Sequence, residues 1–113
     1  MRGATLVAAL AALGLGGCGY NCQSTCFRIY DPSACAVVIP GSTPEALKRS
    51  CISECDEALS GVGTMGGYDP RTQGNPQIAT VLENERQAAE WMDCVWEAEC
   101  TQLQPPGGIC HPI

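Results

Sequence analysis

The sequence predicts an all-α fold: a small disulfide-stapled helical domain of two short Cys-x-x-x-Cys helices and one long C-terminal helix, following a cleaved N-terminal segment. Three observations lead there. The chain has 113 residues and 9 cysteines, a density that suits disulfide scaffolds rather than a cytosolic enzyme. Cysteines recur four apart, at Cys22/Cys26 and Cys51/Cys55, which puts each pair of thiols on one helical face. Good helix formers with a 3.6-residue apolar period then occupy the last third of the chain, ending at Pro105-Pro106-Gly107-Gly108.

Length allows one small domain. Twelve acidic against six basic side chains, net −6, argue against nucleic acid as a partner, because phosphate backbones need clustered Lys and Arg. No run reaches ~20 apolar residues, so the finished protein is expected to have no membrane-spanning helix.

Residues 1–17 read as a targeting segment. Arg2 and the free amine form a short positive region, and residues 4–15 follow as an uncharged Ala/Leu-rich stretch, of signal-peptide length and too short to span a bilayer. It ends in Leu15-Gly16-Gly17-Cys18, which resembles the lipobox of bacterial lipoprotein precursors. The resemblance implies cleavage before Cys18, a thioether from its thiol to diacylglycerol, and often acylation of the new amine. The two glycines suit a peptidase that needs small residues there. Two or more acyl chains hold a protein stably on a membrane. Residues 18–113 would keep five bases against twelve acids, net −7. Anionic headgroups would repel such a body, so the acyl chains must do the anchoring. Gly19, where inner-membrane retention calls for Asp, favours the outer membrane.

With Cys18 lipidated, eight cysteines remain: Cys22, Cys26, Cys35, Cys51, Cys55, Cys94, Cys100 and Cys110. An even number permits four disulfides, in 105 connectivities.

The first helix covers about residues 21–30 and stops at Asp31-Pro32. Residues 33–41, with the run Ala36-Val37-Val38-Ile39, read as an extended loop. The second helix starts at Ser42-Thr43-Pro44-Glu45, by a Thr43 cap with Pro44 at the first position or by a Ser42/Glu45 capping box. Leu47, Cys51, Ile52, Cys55 and Leu59 form its stripe, and it stops near Ser60-Gly61. Residues 61–75 (GVGTMGGYDPRTQGN) are a Gly-rich flexible loop, with Met65 and Tyr68 as its sizeable groups, packing over the core. Asn75 and Pro76 open the third helix, which runs to about Leu103 and spans around 40 Å. Its apolar face is Ile78, Val81, Ala88, Ala89, Met92, Val95, Trp96 and Leu103, and its solvated face is Glu83, Arg86, Glu90, Asp93 and Glu97. Glu85 and Glu99 fall toward the apolar side and are expected to reach outward from its edge.

Two helices with one Cys-x-x-x-Cys each resemble disulfide-linked α-hairpins, in which outer and inner cysteines of an antiparallel pair join. That resemblance implies Cys22 with Cys55 and Cys26 with Cys51. Cys94 projects toward the acidic face, so a disulfide there requires another segment to cross that side. The tail can do so: Cys110 reaches Cys100 or, if extended, Cys94, and the other of the two then bonds Cys35. The mature chain has six aromatics (Tyr20, Phe27, Tyr30, Tyr68, Trp91 and Trp96), little apolar area for an unstapled fold.

Catalytic signatures are missing. His111, the only histidine, sits in the tail without a neighbouring nucleophile or orienting group. Glu83/Glu85 and Glu97/Glu99 are two apart on a helix and face different ways. No Cys-x-x-Cys, phosphate-cradling loop, HExxH or GxSxG occurs. The expectation is therefore not an enzyme, with no cofactor, no metal site and no evident small-molecule substrate. It is a lipid-anchored envelope lipoprotein acting as a non-catalytic interaction or structural module, held to the membrane by its N-terminal lipid and serving an unidentified protein partner. It resembles the small cysteine-rich lipoproteins of myxobacteria, which implies location and chemistry but no partner. One alternative is a thiol-based metal or redox protein of the periplasm. Another is an immunity-type lipoprotein that neutralises a toxin or enzyme.

Overall fold

The computed structural model describes residues 19–72, 81–104 and 108–110. The expected signal segment, Cys18, the expected helix start at Asn75 and Pro76, Ile78 and His111 lie outside the described residues. Among those described, the elements are α1 (Cys22–Tyr30), α2 (Pro44–Leu59), α3 (Glu85–Glu97) and a 3-10 turn (Cys100–Leu103), with no strand. The predicted disulfide-stapled all-α class is the observed one.

Local chemistry sets each boundary. Asn21 caps α1 by accepting from the Ser24 backbone N–H, and Ser24 Oγ accepts from the Asn21 N–H in return, which satisfies two orphan donors at once. Past Asp31 the chain folds back on α1: the N–H groups of Cys35 and Val37 donate to the carbonyls of Arg28 and Ile29, occupying acceptors the helix end leaves open. Of the two predicted caps for α2, Thr43 holds the position, accepting from the Ala46 N–H with Pro44 in the first turn.

Two disulfides fasten α1 to α2. Cys22 pairs with Cys55 and Cys26 with Cys51, with Cα atoms 5.7 and 5.9 Å apart. Early-to-late pairing makes the helices antiparallel, as the hairpin resemblance implies. Cys35–Cys100 ties the first loop to the 3-10 turn, and Cys94–Cys110 ties α3 to the tail. Of the two routes open to the tail, Cys110 takes the one to Cys94. On α2 the stripe shifts slightly, since Ala58 is buried while Leu59 is exposed.

The third helix departs most from expectation. It has 13 residues, about 20 Å at the usual rise, and Val81, Leu82 and Glu83 precede it without helical structure. Asn84 is its cap, accepting from the N–H groups of Arg86 and Gln87, while the Glu85 N–H donates to Gly61 O. At the other end Ala98 turns extended, at φ −78° and ψ 154°, and the chain enters the 3-10 turn that carries Cys100 to Cys35. Its buried face is also rotated by roughly a quarter turn from the predicted one. Ala88, Trp91, Met92, Cys94 and Val95 are buried, whereas Val81, Ala89 and Trp96 are exposed. The physical reason lies in Trp91 and Cys94. The largest ring of the core is Trp91, wholly enclosed, and its Nε1–H donates to Cys110 O at 3.0 Å. The Cys94–Cys110 bond draws the tail over the same side. Glu85 and Glu99 are exposed, as expected of edge positions.

Candidate functional site

Where α1 meets the end of α3, four side chains form an open aromatic face. Tyr20 precedes α1 and stacks on Trp96, centroids 5.5 Å apart and planes 15° from parallel. Its hydroxyl donates to Asp93. Trp96 is held by its Nε1–H, which donates to Thr25 Oγ1 at 3.0 Å; Thr25 itself is fully buried. The Arg28 guanidinium lies 5.2 Å from the Trp96 ring centroid and donates to the carbonyls of Val95 (2.9 Å) and Ala98 (2.6 Å). It thus caps the end of α3 from another helix, where open carbonyls and the helix dipole favour a cation. Phe27 completes the face, with Lys48 Nζ 5.4 Å from its centroid.

Tyr20, Phe27 and Trp96 are 41%, 47% and 38% exposed. Between Phe27 and Trp96 opens a cleft of about 510 Å³, bordered by Asn21, Ser24, Arg28 and Ala34. Cations at the face are matched locally: Lys48 Nζ sits 2.6 Å from Asp31. That bond, with two more from Ser33, holds the Asp31 carboxyl at about 2, well below the usual range. The arrangement can stack on or bury flat apolar and amphipathic groups, with polar atoms at its rim.

The acidic side of α3 is not simply solvated. Arg71, from the Gly-rich segment, bonds Glu90 at 2.6 Å and Glu97 at 2.9 Å. Asn84 Nδ2 and Gln87 Nε2 donate to the Thr64 and Met65 carbonyls, and the Cys110 N–H donates to Pro70 O. Residues 61–72 are therefore strapped along α3. Tyr68 packs on the core, and burial, followed by the charges of Asp69 and Glu90, pushes its hydroxyl pKa up strongly. Met65 is half-buried but does not join Tyr68 in packing against that core. A second, smaller cleft of about 260 Å³ gathers Glu54, Glu57 and Glu83 beside Val81 and Leu82. Among the described residues no group of three or more His, Cys, Asp or Glu is placed to hold a metal ion, and no helix is long and apolar enough to cross a membrane.

All eight cysteines predicted to pair are in disulfides with one another. Sequence reasoning missed the aromatic face. Periodicity places Trp96 on the core side of α3 and gives Phe27 no role. The usable signal was angular: Phe27 lies about 100° around α1 from Cys26, off the face that the two cysteines bury. No protein-family model matches this chain, and comparison with curated proteins and with solved structures finds no match. The fold and the site together define a disulfide-stapled helical module with one exposed aromatic face.

Proposed function

We propose that this chain is a lipid-anchored lipoprotein of a bacterial cell envelope, most simply of the outer membrane, acting as a non-catalytic interaction or structural module. One observation carries the reading. The eight cysteines beyond position 18 close four disulfides among themselves, so none remains as a disulfide counterpart for Cys18 within the domain. Position 18 is also where Leu15-Gly16-Gly17-Cys18 resembles a lipobox, whose chemistry consumes the thiol. Four disulfides additionally suit an oxidising, exported compartment.

The test is the intact mass of membrane-extracted protein before and after reduction. The expected species begins at Cys18, carries diacylglycerol with or without a further acyl chain, and gains the mass of eight hydrogens on reduction. A chain that begins elsewhere, or has Cys18 joined to another cysteine, overturns the reading. The same measurement weighs the thiol-based metal alternative, which needs reduced thiolates as soft ligands: four or more free thiols in native protein would favour it.

A further inference from the structure

We propose that the aromatic face of Tyr20, Phe27 and Trp96 is a membrane-docking surface, seated in the interfacial zone of the bilayer that holds the Cys18 lipid. This rests on the anchor reading and adds to it an orientation of the domain and a lipid contact made by the protein itself.

The first argument is chain length. Tyr20 lies two residues beyond Cys18, a span of at most about 7 Å when fully extended. A ring of the face is therefore tied to the anchoring sulfur by a tether far shorter than the domain. Whichever way the domain tips, Tyr20 itself stays near headgroup level, so the rings beside it are within reach of the interface. The second argument is the chemistry of the rings. Aromatic side chains with one polar atom concentrate at membrane interfaces, where the ring meets apolar matter and the polar atom stays hydrogen-bonded. Trp96 and Tyr20 have their polar atoms satisfied, Nε1–H by Thr25 and the hydroxyl by Asp93, and leave part of each ring exposed for apolar contact. Phe27 contributes an apolar ring with no polar atom to satisfy.

Charge supplies the third argument. The body is acidic, yet the groups at this face are the cations Arg28 and Lys48, each over a ring. The carboxylates touching it are engaged, Asp93 by Tyr20 and Asp31 by Lys48 and Ser33. Glu54, Glu57 and Glu83 line a different cleft. A nearly neutral aromatic face on an acidic body matches a zwitterionic lipid surface, which neither attracts nor repels it over distance. Packing also makes the surface rigid: Trp96 is stacked, hydrogen-bonded and flanked by a guanidinium, so docking immobilises few rotors.

The experiment uses the full lipidated protein in vesicles of phosphatidylcholine and phosphatidylethanolamine, with acyl chains brominated near the headgroup. Trp91 is wholly buried and serves as the internal reference. Emission lost in Trp96→Phe reports Trp96. The expected result is that this component is blue-shifted and quenched by the brominated lipid while Trp91 emission stays unchanged. A second variant, Phe27→Ser, is expected to weaken the quenching without altering the far-ultraviolet circular dichroism. Protein whose mass shows acylation at Cys18 but whose Trp96 is unquenched overturns the docking and leaves the anchor intact. A mass without acylation overturns both. A concentration-dependent blue shift of Trp96 in lipid-free detergent assigns the face to a second copy of the chain and also overturns the proposal.

Discussion

Arg28 closes the end of α3: its Nε and Nη2 donate to the carbonyls of Val95 and Ala98, 67 and 70 residues along the chain. One side chain of α1 thereby ends a helix to which no disulfide joins α1 directly. Hydrogen bonds to a charged group contribute ~1.5–3 kcal/mol each where the partner would otherwise stay unsatisfied. Arg28→Gln is expected to lower unfolding free energy by about 2 kcal/mol, read from guanidinium denaturation under non-reducing conditions. An unchanged midpoint would show the carbonyls to be adequately hydrated without it.

Reduction should unfold the domain. In the chain-entropy account a loop of the size closed by Cys94–Cys110, sequence separation 16, stabilises by about 3 kcal/mol, and a longer loop by more. Full reduction is expected to abolish the helical circular dichroism, and retention of the signal would refute it. A non-reducing peptide map should link Cys110 to Cys94; a link from Cys110 to Cys22 or Cys26 would contradict the topology.

Ala36 has φ +56°, a left-handed conformation that costs an L-residue roughly 1–2 kcal/mol. It persists because Cys35 and Val37 on either side donate to the end of α1 and Cys35 is bonded to Cys100. Ala36→Gly relieves the strain while loosening the unfolded chain. The expected net is a gain of about 0.5 kcal/mol, read as a small rise in thermal midpoint. A loss of stability would show that the methyl packs usefully.

Gly108 sets a constraint of the opposite sign. An added Cβ would lie 2.7 Å from Gln104 O and 2.9 Å from Gln102 O, both backbone atoms unable to swing aside. Gly108→Ala is expected to displace the tail and with it the hydrogen bond from Trp91 to Cys110 O. Faster hydrogen exchange at the Trp91 indole would report this, and an unaltered rate would dismiss it.

Acid should weaken the join between α1 and α2. Asp31 has its pKa held down to about 2, first by its hydrogen bond from Lys48, and Lys48 is raised by the same contact. A depressed carboxyl stabilises the fold above its unfolded pKa, near 4, and that contribution disappears as pH falls from there through about 2. Asp31→Asn should flatten the decline over that window. An identical acid profile in wild type and variant would show that other carboxylates govern it.

The sequence by itself determined the helical class, the start of α2 at Pro44 and the stop at Asp31-Pro32, because these depend on local backbone chemistry. The α1–α2 pairing followed from two four-residue cysteine spacings and the hairpin they resemble. Tertiary structure decided the rest. Periodicity pointed to a long third helix with Trp96 inward, but a helix can turn about its own axis until its largest ring is enclosed. Trp91 won that place because Cys110, brought in by its bond to Cys94, covers it and accepts its indole proton. Trp96 was thereby left at the surface beside Tyr20. Which ring is buried depends on what crosses the helix from elsewhere in the chain, and no local pattern records that.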